Sequence, residues 1–339
     1  MSYSITAILK KMIEEEVPDL RLRNAVFLDY LQRRGRVKQG DHTDLYWNAI
    51  ATGSQTATAA MTVAGADQTT GDSVQASLGI GQYKVYHQFT VSMVDLLNAK
   101  TAGVGKLNNL FRQNIQGGLL AIRRQLNIYL WTADGTAPFG GMVGLAPILD
   151  PALTYANINP VTYTQWVPIL ETAGAPRALT RNIMYNYSRM LEEQEQYDEV
   201  LMTTPAMAQT YNTLFDSVAG INSVAGFGQS TDLGYAARSY NGIPLMTDPQ
   251  MPTGQIVGFK PDDVCLFSLN LANADGEQIA AFGLKNNLSS IASVDVGGLQ
   301  INIALLPQSN PGLITVQLFV LPQLKVHNRR SVHGIMKLT

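Results

Sequence analysis

Several short stretches carry residue types that serve chemistry elsewhere. KTAGVGKLNN, residues 100–109, has the glycines and lysine of a phosphate-binding loop. Such a loop cradles phosphate on backbone N–H groups, and it needs glycine at its first position and Ser or Thr after the lysine to hold magnesium. Lys100 and Leu107 occupy those two places, so nucleotide hydrolysis is not expected. LANADGEQ, residues 271–278, imitates a calcium loop, but Leu271 stands at the first ligand position and Phe282 where a bidentate glutamate belongs. That excludes calcium binding of this type. The histidines His42, His87, His327 and His333 are scattered. His327 and His333, six residues apart, would share one face of a strand but stand too far apart to hold a metal without a third ligand. Cys265 sits in the apolar run DVCLFSL and reads as a buried, inert thiol. No Ser, Cys or Asp falls in a motif with a local base. The chain is therefore not read as an enzyme, and no catalytic residue, metal or cofactor is expected.

Two features keep phosphate in view. The stretch LNIYLWTADGTAPFGGMVGLAPIL, residues 126–149, places Gly135, Gly140, Gly141 and Gly144 close together, as a phosphate cradle or an architectural turn would. Basic residues also cluster: Arg21 with Arg23, then Arg33, Arg34, Arg36 and Lys38, then Arg123 with Arg124, then Arg329 with Arg330. These clusters read either as ion-pair partners of neighbouring subunits and of the acidic run LEEQEQYDE, or as sequence-independent phosphate contacts. The acidic run itself reads as a solvated helix face.

Composition narrows the partners. The 339-residue chain is 46% hydrophobic and only 15% charged, where an average soluble protein is roughly 25% charged. Charge is depleted where surface is buried against a partner, so extensive self-association is the simplest cause. A formal net charge of −2 offers no global basic field for nucleic acid or an anionic membrane. The N-terminus lacks a secretory apolar core, and no apolar run approaches the roughly 18 residues of a membrane span. A soluble, non-secreted chain without a membrane partner is expected.

The elements that must position these residues follow from periodicity. Residues 4–16 read as a short amphipathic helix, and RLRNAVFLDYLQRRGRVKQGD as a second one ending at Gly35. Between residues 51 and 82 there is no lysine, arginine or aromatic residue, and MTV and SVQAS read as the two strands of a long hairpin with a wide tip. YKVYHQFTVSM alternates as a strand through Val85, Phe89 and Val91. Over residues 92–131 the apolar positions Leu107, Phe111, Ile115, Leu119, Ile122, Leu126 and Leu130 mark one face of a long helix. A frayed start is expected at Gly103 and Gly105, and a bend near Gly117 and Gly118. LTRNIMYNYSRMLEEQEQ gives a further helix, and DEVLMTTPAMAQTYNTLF a strand, a turn capped by Thr203 or Thr204, and a helix. Residues 219–240 read as a Gly/Ser-rich loop, and LQINIALL and ITVQLFVLPQLKV as terminal strands. The class is α+β.

In this order the parts resemble the major capsid protein of tailed double-stranded-DNA bacteriophages. The resemblance rests on FLDYLQRRGRVKQGD, the long loop, the long helix, the turn TADGTAPFGGMVGL, the helix–strand–helix centre, the signature NGIPLMTDP and the segment LFVLPQLKVHNRRSVHGIMKL. It covers essentially the whole chain and implies the Johnson-type capsid fold, which encapsulins and the herpesvirus capsid floor share. Mapped by resemblance, residues 1–50 are an N-terminal arm and 51–91 an extended loop reaching over a neighbour. Residues 92–175 are then a peripheral domain with a spine helix, 176–319 an axial domain, and 320–339 the return strands of the peripheral domain.

The resemblance makes the glycines of 126–149 an architectural exit from the spine. It marks Thr58, Met61, Val63, Asp67, Asp72, Val74 and Leu78 as loop residues contacting another subunit, and Arg33, Arg34, Arg36 and Lys38 as an inner-surface basic group. It implies hexamers and pentamers in an icosahedral shell, packaged double-stranded DNA held non-specifically, a portal protein, and separate scaffold or cement proteins. A separate scaffold, or none, is expected because the arm begins close to Met1. Some relatives weld their shells through a loop lysine. The loop here has none, and Lys84 lies only at its base, so no covalent cross-link is expected. The alternatives are an encapsulin-like compartment shell and an α/β enzyme without a recognisable site.

Overall fold

In a computed structural model the chain is described over residues 25–40, 44–80 apart from 51–72, 84–92, 104–136, 141–164, 166–215, 238–271, 291–306 and 313–339. The expected helix at 4–16 and the strand MTV lie outside these residues, as does 219–237 of the loop expected at 219–240; the last three residues of that stretch, Arg238–Tyr240, form a strand instead.

The first described element is helix α1, Val26–Arg33, which buries Val26 to Leu31. Its N-cap, Ala25, has no side chain to offer the free N–H groups. It stops at Gly35, whose φ of +65° is left-handed. Strand β1, Val37–Gly40, leads to β2, Asp44–Ile50. β3, Ser73–Gly79, pairs with β2 antiparallel, Asp44 opposite Gly79 and Ile50 opposite Ser73. This corrects the expected pairing of SVQAS with MTV. The ascending strand of the hairpin is DLYWNAI, so the hairpin begins inside the segment assigned to the arm and crosses the 50/51 boundary. An aromatic and apolar strand that buries Trp47 and Ala49 outcompetes a three-residue apolar run.

β4, Val85–Ser92, precedes helix α2, Val104–Thr132, 29 residues and about 43 Å long. Gly105 lies in its first turn, and the helix is unbroken through Gly117 and Gly118. At Gly118 a Cβ would stand 2.6 Å from the His87 ring on β4. That glycine lets the helix press on the sheet, where the sequence suggested a bend.

A short helix α3, Leu145–Ile148, and β5, Ile169–Glu171, follow. Helix α4, Arg181–Glu193, is capped by Thr180, which accepts from the Ile183 N–H. β6, Val200–Thr203, then leads into helix α5, Pro205–Phe215, where the Thr204 hydroxyl accepts from Met207 N at 3.3 Å. The remaining strands are β7, Arg238–Tyr240; β8, Ile243–Thr247; β9, Ile256–Phe259; β10, Val264–Leu269; β11, Ile291–Val296; β12, Leu299–Leu306; β13, Leu313–Val320; β14, Pro322–Val326; and β15, Val332–Ile335.

Beyond the hairpin these strands form three sheets: β1-β10-β14, β11-β12-β13-β4 and β5-β15-β9-β6-β8-β7. The run ITVQLFVLPQLKV is divided between two of them. Pro322 has no N–H for a continuing ladder, and the chain leaves the four-stranded sheet there to enter the three-stranded one. The sheets also cut across the expected boundaries at 175/176 and 319/320. The six-stranded sheet takes β5 and the C-terminal β15 together with β6 to β9, while β10 to β13 pair with β1, β4 and β14. Sheet hydrogen bonding selects partners by register and not by order along the chain.

One large core joins α1, α2, the three- and four-stranded sheets and one face of the six-stranded sheet. A second lies on the opposite face of the six-stranded sheet under α4 and α5, through Ile183, Tyr187, Leu191, Met207 and Tyr211.

Candidate functional site

The long helix turns Ile115, Leu119, Ile122, Leu126 and Leu130 inward, each at most 1% exposed. The helix backbone also carries Leu107 and Phe111, on turns whose side chains lie outside the described residues. Beside this stripe the buried Asn127 and the indole N–H of the buried Trp131 converge on Asp248 of the signature NGIPLMTDP. Asp248 is fully buried. Its Oδ2 accepts from Asn127 Nδ2 at 2.9 Å, from Trp131 Nε1 at 2.9 Å and from Phe27 N at 3.2 Å. Its Oδ1 accepts from Gln250 N at 2.9 Å. The carboxylate thus caps the N-terminus of α1 from another part of the chain, as its dipole favours. Asn127 Oδ1 accepts from Leu28 N at 2.9 Å. One turn earlier on the helix, Arg123 pairs with Asp29 at 2.5 Å and donates to Gln32 Oε1 at 2.9 Å. The last part of the arm is therefore locked to the spine helix, and Arg123 is an internal strut and not a surface cation.

In the glycine-rich exit from the spine Gly140 lies outside the described residues, and the described part is a tight turn. Asp134 bridges to Val143, Gly135 and Gly141 have φ of +80° and +88°, and Gly144 N donates to Ala133 O at 2.6 Å. A Cβ on Gly144 would stand 2.7 Å from Tyr129 O and 2.8 Å from Trp131 O. The chain doubles back against the helix end, and only glycine fits there.

Arg329 is fully buried as well. Its guanidinium donates to Ile148 O at 3.0 Å, to Leu153 O at 2.6 Å, to Trp166 O at 3.4 Å and to Asp150 O. It satisfies the carbonyls at the end of α3 and of the loop beyond it, and burial lowers its pKa to about 10. Of the basic clusters, Arg123 and Arg329 are thereby assigned to architecture.

Arg33, Arg34 and Lys38 are exposed, and Arg36 is half-buried. Arg36 pairs with Asp262, and Arg34 lies 5.7 Å from the centre of the Tyr30 ring. Among the loop residues Thr58, Met61, Val63, Asp67 and Asp72 lie outside the described residues. Val74 is half-buried and Leu78 only 8% exposed, in the same core as Ala76. The descending strand therefore contributes core. The base of the hairpin is held by its own chain: Trp47 Nε1 donates to His327 O at 3.0 Å, Lys325 Nζ lies 4.4 Å from the Trp47 ring, and Ser77 N donates to Ala156 O at 3.2 Å. Lys84 is also tied down, with its Nζ 2.5 Å from Gln317 Oε1 and 4.2 Å from the Phe319 ring. Burial lowers its pKa.

Sequence reading missed one constellation. Asp198, in the acidic run expected to be solvated, is buried and lies 2.6 Å from Nδ1 of the buried His333. It also accepts from the Tyr187 hydroxyl. Burial, and then the Asp198 charge, push the Tyr187 phenol well above its usual range. Asp198 fills the space a side chain on Gly258 would need, so the group ties α4, β9 and β15 together inside the core, closed to substrate. No local signal could have found it, because its members are far apart in sequence. His327, on the other side of a 3-10 turn, is exposed, so the two histidines do not share a strand face. Cys265 is half-buried, and burial raises its thiol pKa. Among the described residues no three His, Cys, Asp or Glu side chains gather as metal ligands, and no helix is long and apolar enough to cross a membrane.

No known family model matches the sequence, and neither does any curated protein. Solved structures do match. The capsid of cyanophage A-1(L) superposes with a TM-score of 0.68 at 21% identity, covering 90% of this chain and 91% of that one. The SrpI encapsulin of Synechococcus elongatus gives 0.54 at 11% identity over 94% and 90% of the two chains. The capsid of a native GTA particle gives 0.53 at 10% identity over 94% and 92%. An α+β chain with a 29-residue spine, an arm locked to it through Asp248 and a hairpin anchored at its base has the capsid fold that phage shell proteins share with encapsulins.

Proposed function

We propose that this chain is a major capsid protein, which self-assembles as hexamers and pentamers into an icosahedral shell enclosing a double-stranded DNA phage genome. The match to the cyanophage capsid over nine-tenths of both chains carries this reading. The role is structural: the buried polar groups Asp248, Asp198 and Arg329 hold elements together, and the cavity of about 300 Å³ bordered by Asp29, Gln32, Arg33 and Arg123 lies where Arg123 ties α1 to the spine helix. The six-stranded sheet with α4 and α5 forms the axial unit, and the spine with the other two sheets forms the peripheral unit. The hairpin beyond Ile50 and Ser73 reaches over a neighbouring subunit, which gives its residues a surface to bury, since an isolated hairpin is marginal in water. Shell cohesion is non-covalent and sums many weak contacts. A portal protein and separate scaffold or cement proteins are the further partners, assembly takes place in the host cytoplasm, and the product is the virion capsid.

Electron microscopy of the purified chain tests this. Icosahedral shells are expected, DNA-filled when taken from phage-producing cells; a soluble monomer at high concentration would refute the proposal. Empty shells loaded with protein cargo would favour the encapsulin reading, which the lower TM-score of 0.54 supports less well. Boiled in detergent and reductant, the shells should give one band near 36.9 kDa, and a ladder of multimers would contradict non-covalent cohesion. Removing residues 58–72, and sparing Ala76 and Leu78 because they belong to the core, should leave a folded subunit that forms no stable shell.

A further inference from the structure

The three-stranded sheet collects cations that the sequence keeps far apart. Lys38 stands opposite Phe267 across β1 and β10, while Cys265 stands opposite Lys325 and Phe267 opposite Gln323 across β10 and β14. Side chains two residues apart share a face of a strand. Lys38, Cys265, Phe267 and Lys325 are therefore on one face, and Arg36, two residues before Lys38, continues that row. The Cys265 thiol feels Lys38, Arg36 and Lys325 together. The carboxylate on this face, Asp262, is paired with Arg36. Among the described residues no carboxylate pairs with Lys38 or Lys325. Lys325 is held by stacking on Trp47 and is close enough for Lys38 to oppose its charge. Among the described residues Lys38 and Lys325 thus form a positive face without a paired carboxylate, on a chain whose net charge is −2.

We propose that this face of the β1-β10-β14 sheet is a docking surface for the phosphate backbone of double-stranded nucleic acid, engaged by Lys38 and Lys325. This deepens the proposed function, on which it rests: it names the surface that meets the enclosed DNA, and it adds Lys325, which no reading of the arm would include. The exposed Lys38 and the Lys325 ammonium held over Trp47 present two cations with no paired carboxylate among the described residues, which suits a diffuse polyanion. Contacts of this kind are independent of base sequence.

The test uses unassembled subunits and a short fluorescent duplex of arbitrary sequence, titrated between about 50 and 200 mM salt. Wild type should bind with a linear dependence of log affinity on log salt. The double variant Lys38→Gln/Lys325→Gln should lose about 0.9 from that slope for each contact removed, and the charge-retaining Lys38→Arg/Lys325→Arg should restore it. A slope unchanged in the Gln variant, or no duplex binding by wild type, overturns the inference. So does a Gln variant that binds duplex normally but no longer forms shells, because the face would then be a contact between copies. Shells that form normally while wild type ignores DNA sink this inference alone, whereas absence of any shell sinks the capsid reading itself.

Discussion

Asp248→Ala is the most informative single substitution. It removes the acceptor of Phe27 N and Trp131 Nε1 and one of the two acceptors of Asn127 Nδ2, which keeps Gln250 Oε1 at 2.8 Å, and so strands buried donors from two different elements. Each stranded donor costs about 1–3 kcal/mol. Part of that is returned, because a buried carboxylate no longer has to be desolvated. A net loss of about 3–5 kcal/mol is expected, comparable to breaking a buried ion pair. Asp248→Asn keeps one acceptor oxygen for the three donors but turns an amide N–H toward Gln250 N, so it should cost only about 1–2 kcal/mol. The damage should be local first, since Phe27 N belongs to the first turn of α1. Hydrogen exchange of α1 in the unassembled subunit measures it directly. At about 1.4 kcal/mol per tenfold change, α1 amides in Asp248→Ala should exchange roughly two to three orders of magnitude faster than in wild type, with Asp248→Asn between them. If α1 exchanges at the wild-type rate in Asp248→Ala, the node does not hold the arm and its assignment is wrong.

Three further outcomes follow from the same contacts. Gly144→Ala places a methyl against the Tyr129 and Trp131 carbonyls and should cost about 3 kcal/mol or more, read as a lower urea midpoint; a midpoint within error of wild type would show that the exit relaxes freely. Arg329→Met fills similar volume but strands the carbonyls of Ile148, Leu153 and Trp166, and should yield about 3 kcal/mol of destabilisation with loss of protection in residues 148–166, whereas a neutral result would mean that water replaces the guanidinium. Tyr187 and Tyr211 are raised by burial first, Tyr211 to about 12. Their neutral forms are favoured in the folded state, so the stability they contribute is fully present below pH ~10 and is lost as pH rises toward 12. A denaturation midpoint that stays level across that window, followed by tyrosinate absorbance, would contradict it.

Much of this architecture was readable in one dimension because it is set by local periodicity. The stripe Ile115, Leu119, Ile122, Leu126 and Leu130 sits at helical spacing, Thr180 and Thr204 mark helix starts, and Gly35 marks a stop. Each of these signals lies within a few residues of the element it controls. The order of such elements was specific enough to point to a capsid fold although sequence identity to the cyanophage capsid is only 21%.

Tertiary structure decided what depends on pairing between distant segments. Whether SVQAS pairs with MTV or with DLYWNAI, and whether Pro322 ends one sheet or begins another, turns on which faces can be buried together, and no window of sequence contains both partners. The same holds for charge. Arg123, Arg329 and Asp198 carry the residue types of a solvated surface, yet each is buried because partners 94, 181 and 135 positions away meet it there. Asp248 stood in a recognisable signature, but its purpose came into view only when Phe27, Asn127 and Trp131 were seen to converge on it. A buried charge is tolerable only where several donors arrive together, and that convergence belongs to the fold and not to the order of residues.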